Sequence, residues 1–195
     1  MPDRVECKDS RIIRRLLRVN HSGEHGAVAI YSSQINRARK YYSDILPWLE
    51  ETLKHELRHR EAFLAAMPAR GAKPCRAMFV WRSGGAVLGA ITAMFGRDGV
   101  MVCTAAVERT VHRHLVEQIE YLDKTDQELA DLVRDILREE NEHLEMAERH
   151  HDPNRITARW LASVVAGATE MLIFLSTRGD SRKLQAVMRQ PLLAE

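Results

Sequence analysis

Two short segments, Glu56-Leu57-Arg58-His59 and Glu140-Asn141-Glu142-His143, share the pattern Glu-x-x-His, and each follows a further glutamate by 32 residues, Glu24 and Glu108. A glutamate and a histidine three apart on a helix share one face, so each pair offers a carboxylate and an imidazole in one direction. A constant offset of 84 residues relates the two sets and also carries Gln34 to Gln118, Ile35 to Ile119 and Leu53 to Leu137. A repeat of that breadth describes two similar helical hairpins. Facing one another, they would converge four carboxylates and two imidazoles in one layer. Acids so crowded repel strongly unless cations lie between them. Oxygen-rich ligands suit iron or manganese.

Two decoys show how little a single Glu-x-x-His decides. Glu148-Arg149-His150-His151 has the form but no glutamate at the right distance, and reads as an exposed helix end. His55-Glu56-Leu57-Arg58-His59 spells H-E-x-x-H, in which His55 and His59 would hold zinc and Glu56 would act as base. The repeat speaks against that reading. The counterpart of His55 is Glu139, whereas Glu56 and His59 have identical counterparts. His55 also lies one residue off the face that Glu56 and His59 share. The doubled, equally spaced set is instead that of ferritin-like di-metal carboxylate proteins.

The elements that must position these residues are helices. The 32-residue intervals have their midpoints at residues 40 and 124, where turns are predicted. Sixteen helical residues up and sixteen back, at about 1.5 Å each, return the second glutamate to the level of the first. A helix is predicted over residues 10–39, a turn over 41–43, and a second helix from Pro47 to about Ala66. Pro68, Gly71 and Pro74 break the chain over residues 67–74. An apolar helix over 78–95 follows, then, after Gly96–Gly99, another to about Asp123. Thr125-Asp126-Gln127-Glu128 has the capping-box form and opens a helix to about His150. Pro153 permits a last apolar helix to about Thr177. The expectation is an all-α, ferritin-like four-helix bundle forming one domain over residues 1–195. Its hairpins cover about 10–66 and 100–150, with an apolar crossover at about 75–96 and a C-terminal apolar helix at about 154–177.

Composition agrees. Ten glycines and six prolines in 195 residues leave the helix formers dominant. A net charge of +2 excludes a strong nucleic-acid field, so no nucleic acid is expected as partner. Three unpaired cysteines, Cys7, Cys75 and Cys103, exclude a disulfide framework, and a polar N-terminus without an apolar core gives a cytoplasmic expectation. Only 14 uncharged residues separate Arg82 from Arg97, fewer than the roughly 20 that span a bilayer. Trp160 to Thr177 is nearly long enough but carries Glu170, costly in lipid. Both stretches read either as buried bundle helices or as helices lying in a membrane interface, with Trp81, Arg82 and Arg97 at the rim.

The segment Arg18-Val19-Asn20-His21-Ser22-Gly23-Glu24-His25-Gly26-Ala27 resembles the N-H-x-G-E-x-G-A motif of the demethoxyubiquinone hydroxylase family of ubiquinone biosynthesis. The likeness continues through Ile30-Tyr31, Gln34, residues 55–63, Ala106-Val107-Glu108 and residues 139–143, and covers about residues 11–177. It implies two iron ions per chain, one held by Glu24, Glu56 and His59, the other by Glu108, Glu140 and His143, with Glu56 and Glu140 bridging. His114 matches a family histidine, and its neighbour, often tyrosine in the family, is Leu115 here. His114 could still serve a catalytic relay; its other reading is a supporting or surface group. His21 and His25 read as supporting groups. The resemblance implies a monooxygenase that uses O2 to hydroxylate the ring of a polyprenylated quinone at the cytoplasmic face of a membrane, as a peripheral protein. NADH is one candidate electron donor. A second copy of the chain, or another protein of quinone synthesis, is a candidate partner. The same ligands could serve an iron store or a peroxide scavenger. The apolar stretches argue against a soluble cage, and the cysteines supply no rubredoxin-type site. A lipid-binding protein without catalysis would not need both ligand sets intact.

Overall fold

Leucine, isoleucine, alanine and arginine recur without proline through residues 8–41, and this stretch forms one continuous helix, α1 (Lys8–Tyr41). The computed structural model describes residues 8–152 and 154–176; Cys7, Pro153 and Thr177 lie outside them. After a 3-10 turn at Ser43–Ile45 the chain enters α2 (Leu46–Ala66), with Pro47 in the first turn, where no amide hydrogen is needed. A second 3-10 turn, Pro68–Arg70, ends at Gly71 with φ 62, a left-handed conformation that suits glycine. Then come α3 (Met78–Ala93), α4 (Gly96–Leu122), α5 (Gln127–Arg149) and α6 (Ile156–Ser176). All the described regular structure is helical, as expected of an all-α bundle.

Of the boundaries that differ from the sequence reading, three have a visible cause. The predicted turn at 41–43 moves on to Tyr42–Ile45, because α1 keeps its ladder to Tyr41. The helix predicted after Gly96–Gly99 already begins at Gly96, whose φ of 73 makes the reversal from α3. The residue that caps α5 is Asp126, not Thr125: its carboxylate accepts from the Leu129 amide at 3.1 Å. The Thr125 hydroxyl instead donates back to the Tyr121 carbonyl at 3.0 Å. Arg70 decides between the two, donating to both Asp126 oxygens at 2.6 and 2.8 Å and tying the end of the first hairpin to the turn of the second.

The α1–α2 and α4–α5 hairpins form the bundle; α3 lies along α1 and α6 along α4. Two apolar cores close its ends. One gathers Leu16, Leu17, Phe63, Leu122, Leu129 and Val133. The other gathers Tyr31, Ile35, Leu49 and Val100. Each such large side chain stabilises the fold by about 1.5–3 kcal/mol on burial. The layer between the two cores belongs to the polar residues described below. On α6, Leu161, Val165, Thr169 and Ile173 are buried at four-residue intervals, while Trp160, Val164 and Met171 face out. Against α1, α3 comes very close. A Cβ on Gly85 would stand 2.3 Å from the Gly26 carbonyl oxygen, and one on Gly89 would stand 2.4 Å from that of Ile30.

That contact is backbone against backbone and has no side chain to give way. Gly89→Val should therefore lower stability by about 1–3 kcal/mol or more. Valine at the exposed Ala90 should change it by less than about 0.5 kcal/mol. Urea midpoints of the two variants check this, and equal midpoints would overturn the close-packing account.

Candidate metal centre

Four helices each bring one glutamate to the middle layer: Glu24 from α1, Glu56 from α2, Glu108 from α4 and Glu140 from α5. One turn beyond Glu56 and Glu140, on the same faces, stand His59 and His143, and all six side chains are buried. Their ligand atoms form two overlapping groups. Glu24, Glu56, His59 and Glu140 lie within 4.8 Å of one another, as do Glu56, Glu108, Glu140 and His143. Glu56 and Glu140 belong to both groups, the placement that two bridging carboxylates need. Each histidine turns Nδ1 inward. His59 Nδ1 is 3.0 Å from Glu140 Oε1 and 4.0 Å from Glu24 Oε2. His143 Nδ1 is 3.2 Å from Glu140 Oε2 and 3.6 Å from Glu56 Oε1.

Without cations this layer is electrostatically frustrated. Burial, and then the charge of Glu140, raise the Glu24 carboxyl from its usual 4.5 to about 7. Glu56 and Glu108 are pushed well above the usual range by burial and by the neighbouring carboxylates. Glu140 goes the other way: burial opposes its ionisation, but His143 and His59 hold it as an anion. Burial would depress His59, yet Glu140 and Glu24 outweigh it and raise the imidazole from 6.5 to about 9. Glu56 Oε1 is buried with no hydrogen-bond partner. Two divalent ions would balance four carboxylates and give that oxygen a partner, so the donor set fits a di-metal centre.

Sequence reasoning missed three residues just outside this layer. His55, considered only as a zinc ligand, joins neither group and instead lies with Nδ1 3.1 Å from His143 Nε2. Glu139, noticed only as the mismatch of the repeat, accepts from His59 Nε2 at 2.9 Å and from Arg58 at 2.7 Å. The Tyr31 hydroxyl donates to Glu108 Oε1 at 2.8 Å. The available signal was the offset of 84, which pairs His55 with Glu139 and Tyr31 with Leu115. His114 stands apart from the ligands, on the wall of an adjoining cavity and 3.5 Å from Glu170. His21 is buried and His25 half-buried on α1, outside both groups. Glu148 pairs with Arg109 and His151 bonds the Ala147 carbonyl, the helix end that the sequence suggested.

The cavity, about 110 Å³, reaches all four glutamates between walls of Leu16, Ile30, Leu88, Val111 and Ile173. Asn20 and Gln118 on its wall exchange amide hydrogen bonds at 2.7 and 3.0 Å and so satisfy one another.

The family model described as Ubiquinone biosynthesis protein COQ7 matches residues 11–176. The chain belongs to this family. It is 31% identical over 170 residues to the human protein named NADPH-dependent 3-demethoxyubiquinone 3-hydroxylase, mitochondrial, covering 85% of this chain and 77% of the relative. The mouse protein of the same name is 30% identical with the same coverage. The Rhodospirillum rubrum protein named 3-demethoxyubiquinol 3-hydroxylase is 29% identical over 171 residues, 86% of this chain and 78% of the relative. The resemblance read from Asn20 to Ala27 is borne out. COQ7 membership makes the chain an enzyme of ubiquinone biosynthesis.

The raised carboxyls give the metal-free chain a distinctive pH response. The folded state retains protons that the unfolded state releases, so stability falls as pH rises from 4.5 through about 7 for Glu24. His59 acts in the same sense, its contribution complete below 6.5 and lost as pH rises through about 9. A divalent ion must displace those protons, so its stabilisation grows with pH. Melting temperatures of chelated and Mn(II)-loaded protein should diverge from pH 5.5 to 8.5. A constant difference across that range would remove the buried carboxylates as the ligands.

Proposed function

We propose that this chain is a di-iron monooxygenase that hydroxylates the ring of a demethoxyubiquinone, with Glu24, Glu56, His59, Glu108, Glu140 and His143 as its iron ligands. The observation that carries the reading is the apolar cavity opening directly on the four carboxylates. An iron store or a peroxide scavenger needs the carboxylates but not a greasy pocket against them. Two ferrous ions held there would supply electrons that activate O2, one oxygen atom entering a ring C–H bond and the other leaving as water.

The chain's own residues do the rest. Glu56 and Glu140 span the two positions, while Glu24 and Glu108 close them from opposite hairpins. The walls of Leu16, Ile30, Val111 and Ile173 exclude water and match a ring with a polyprenyl tail. Because Asn20 and Gln118 satisfy each other, no unpaired amide faces that tail. His114 moves protons to the pocket. Burial depresses its imidazole below the usual value, so it is neutral and can accept a proton, and the half-exposed Glu170 beside it leads to solvent. This relay dispenses with the tyrosine that Leu115 replaces.

The tail must come from a bilayer. Phe79, Val87 and Ile91 on α3, Met94 just past its end, and Trp160, Val164 and Met171 on α6 are exposed apolar side chains on the elements that border the cavity. Among the described residues one helix, Ile156–Phe174, is long and apolar enough to cross a membrane. Its Glu170 pairs with Arg113 at 2.5 Å, which favours a helix lying in the interface of a peripheral protein. The cytoplasmic face remains the proposed side; the human and mouse relatives are mitochondrial by name. Those names also state NADPH dependence, so NADPH replaces NADH as the first donor to try. One domain holds both hairpins.

In a strain lacking its own hydroxylase, this gene should clear an accumulated demethoxyubiquinone, while Glu56→Ala and Glu140→Ala should not, and purified wild-type protein should hold about two irons per chain. Val111→Trp, which fills the cavity and replaces no ligand, should keep the irons and lose turnover. Retained quinone hydroxylation in either glutamate variant would sink the bridging assignment.

A further inference from the structure

The six ligands obey the repeat, but the residues that hold them do not. Under the offset of 84, Glu24 corresponds to Glu108 and His59 to His143, yet His55 corresponds to Glu139 and Tyr31 to Leu115. These four unlike residues sit at matching places across the bundle. Each residue preceding a Glu-x-x-His crosses to the histidine of the other hairpin: Glu139 to His59 Nε2 at 2.9 Å, His55 to His143 Nε2 at 3.1 Å. Seven residues beyond Glu108 stands Leu115, and seven beyond Glu24 stands Tyr31, whose hydroxyl donates to Glu108 at 2.8 Å.

We infer that the two metal positions are unequal, and that Glu139 makes the position of Glu24 and His59 the one that fills first. The inference rests on the di-metal reading above. A metal-bound imidazole that donates its outer N–H to a carboxylate becomes a stronger base towards the metal. His59 has that arrangement, while His143 meets a second imidazole instead. Glu139 also stands 3.5 Å from His55 Nδ1, farther than from His59, and the carboxylate that meets His55 Nε2 is Glu51, at 3.4 Å and more than half exposed. Water screens that charge more than that of Glu139, which is about one third exposed. Arg58 shares Glu139 and tempers it, but its own side chain is 56% exposed. Tyr31 adds to the inequality. Its hydrogen bond draws negative charge from Glu108, while Leu115 offers Glu24 no hydroxyl. Both differences favour the same position. Glu139 and His55 thus act as positioning residues, through the histidines they hold.

Stepwise metal uptake tests this. Full-length metal-free protein is titrated anaerobically with Fe(II), and the two positions are followed by Mössbauer spectroscopy. Wild type should fill them in order, with two resolved affinities. Glu139→Gln should weaken the tighter step about 10–100-fold and leave the other nearly unchanged. His55→Glu, which gives both histidines a carboxylate, should tighten the second step and draw the two together. A merely structural role for Glu139 would lower both steps alike, and that result would overturn the inference, as would two equal steps in wild type or an unmoved second step in His55→Glu. Failure of the wild type to take up two ions would instead overturn the di-metal reading itself.

Discussion

Four carboxylates buried in one layer govern the whole molecule. Left alone they are a liability: burial and mutual repulsion force Glu24, Glu56 and Glu108 towards their neutral forms, and only Glu140 is held charged, by two histidines. The apolar cores above and below do not relieve that cost; they enforce it by excluding water from the layer. A helical bundle can sustain it because helices satisfy their own backbone, which leaves the middle layer free for side chains with no other purpose. Cations held there would turn the liability into a clamp across all four helices.

The remaining elements follow from that layer. Two hairpins alone would leave the outer faces of α1 and α4 uncovered, and α3 and α6 cover them. Gly85 and Gly89 bring α3 nearly into backbone contact with α1, while α6 spaces its buried residues four apart along α4. Between these helices and the bundle lies the cavity, which exists because α3 and α6 cover the hairpins without filling the space above the carboxylates. The same two helices carry exposed aromatic and aliphatic side chains outward. One pair of elements therefore shields the acids, walls the pocket and presents an apolar exterior.

How much of this the sequence disclosed depends on what kind of interaction fixed each part. The six candidate ligands were legible because a duplicated hairpin repeats its chemistry at a fixed interval, and the structure draws these same six together. The helices were legible from their formers and breakers. The start of α5 was not fully so: Thr125 and Asp126 can both cap, and the choice was made by Arg70, which arrives from the other hairpin. Whether the apolar stretches were core or surface was also undecidable in one dimension, since burial on α6 follows from where α4 lies. His55 and Glu139 were hardest, because each serves a histidine 80 or more residues away and each looks like an error in the repeat.

Those apparent errors locate where symmetry stops being useful. Holding two ions calls for two matched sets of ligands, and an exact repeat supplies them. Hydroxylating one ring position calls for one approach, because a substrate that could enter from either hairpin would meet two equivalent positions in either orientation. The break must then come in the residues around the ligands and not in the ligands themselves. Tyr31 grips Glu108 on one side, and at the corresponding place on the other side Leu115 leaves room beside Glu24 for the apolar cavity. A hydroxyl at that place would need a partner of its own whenever a greasy substrate displaced the water. Leucine has no such need, so the departure from the family's tyrosine is consistent with a pocket that binds an apolar ring and leaves proton transfer to His114.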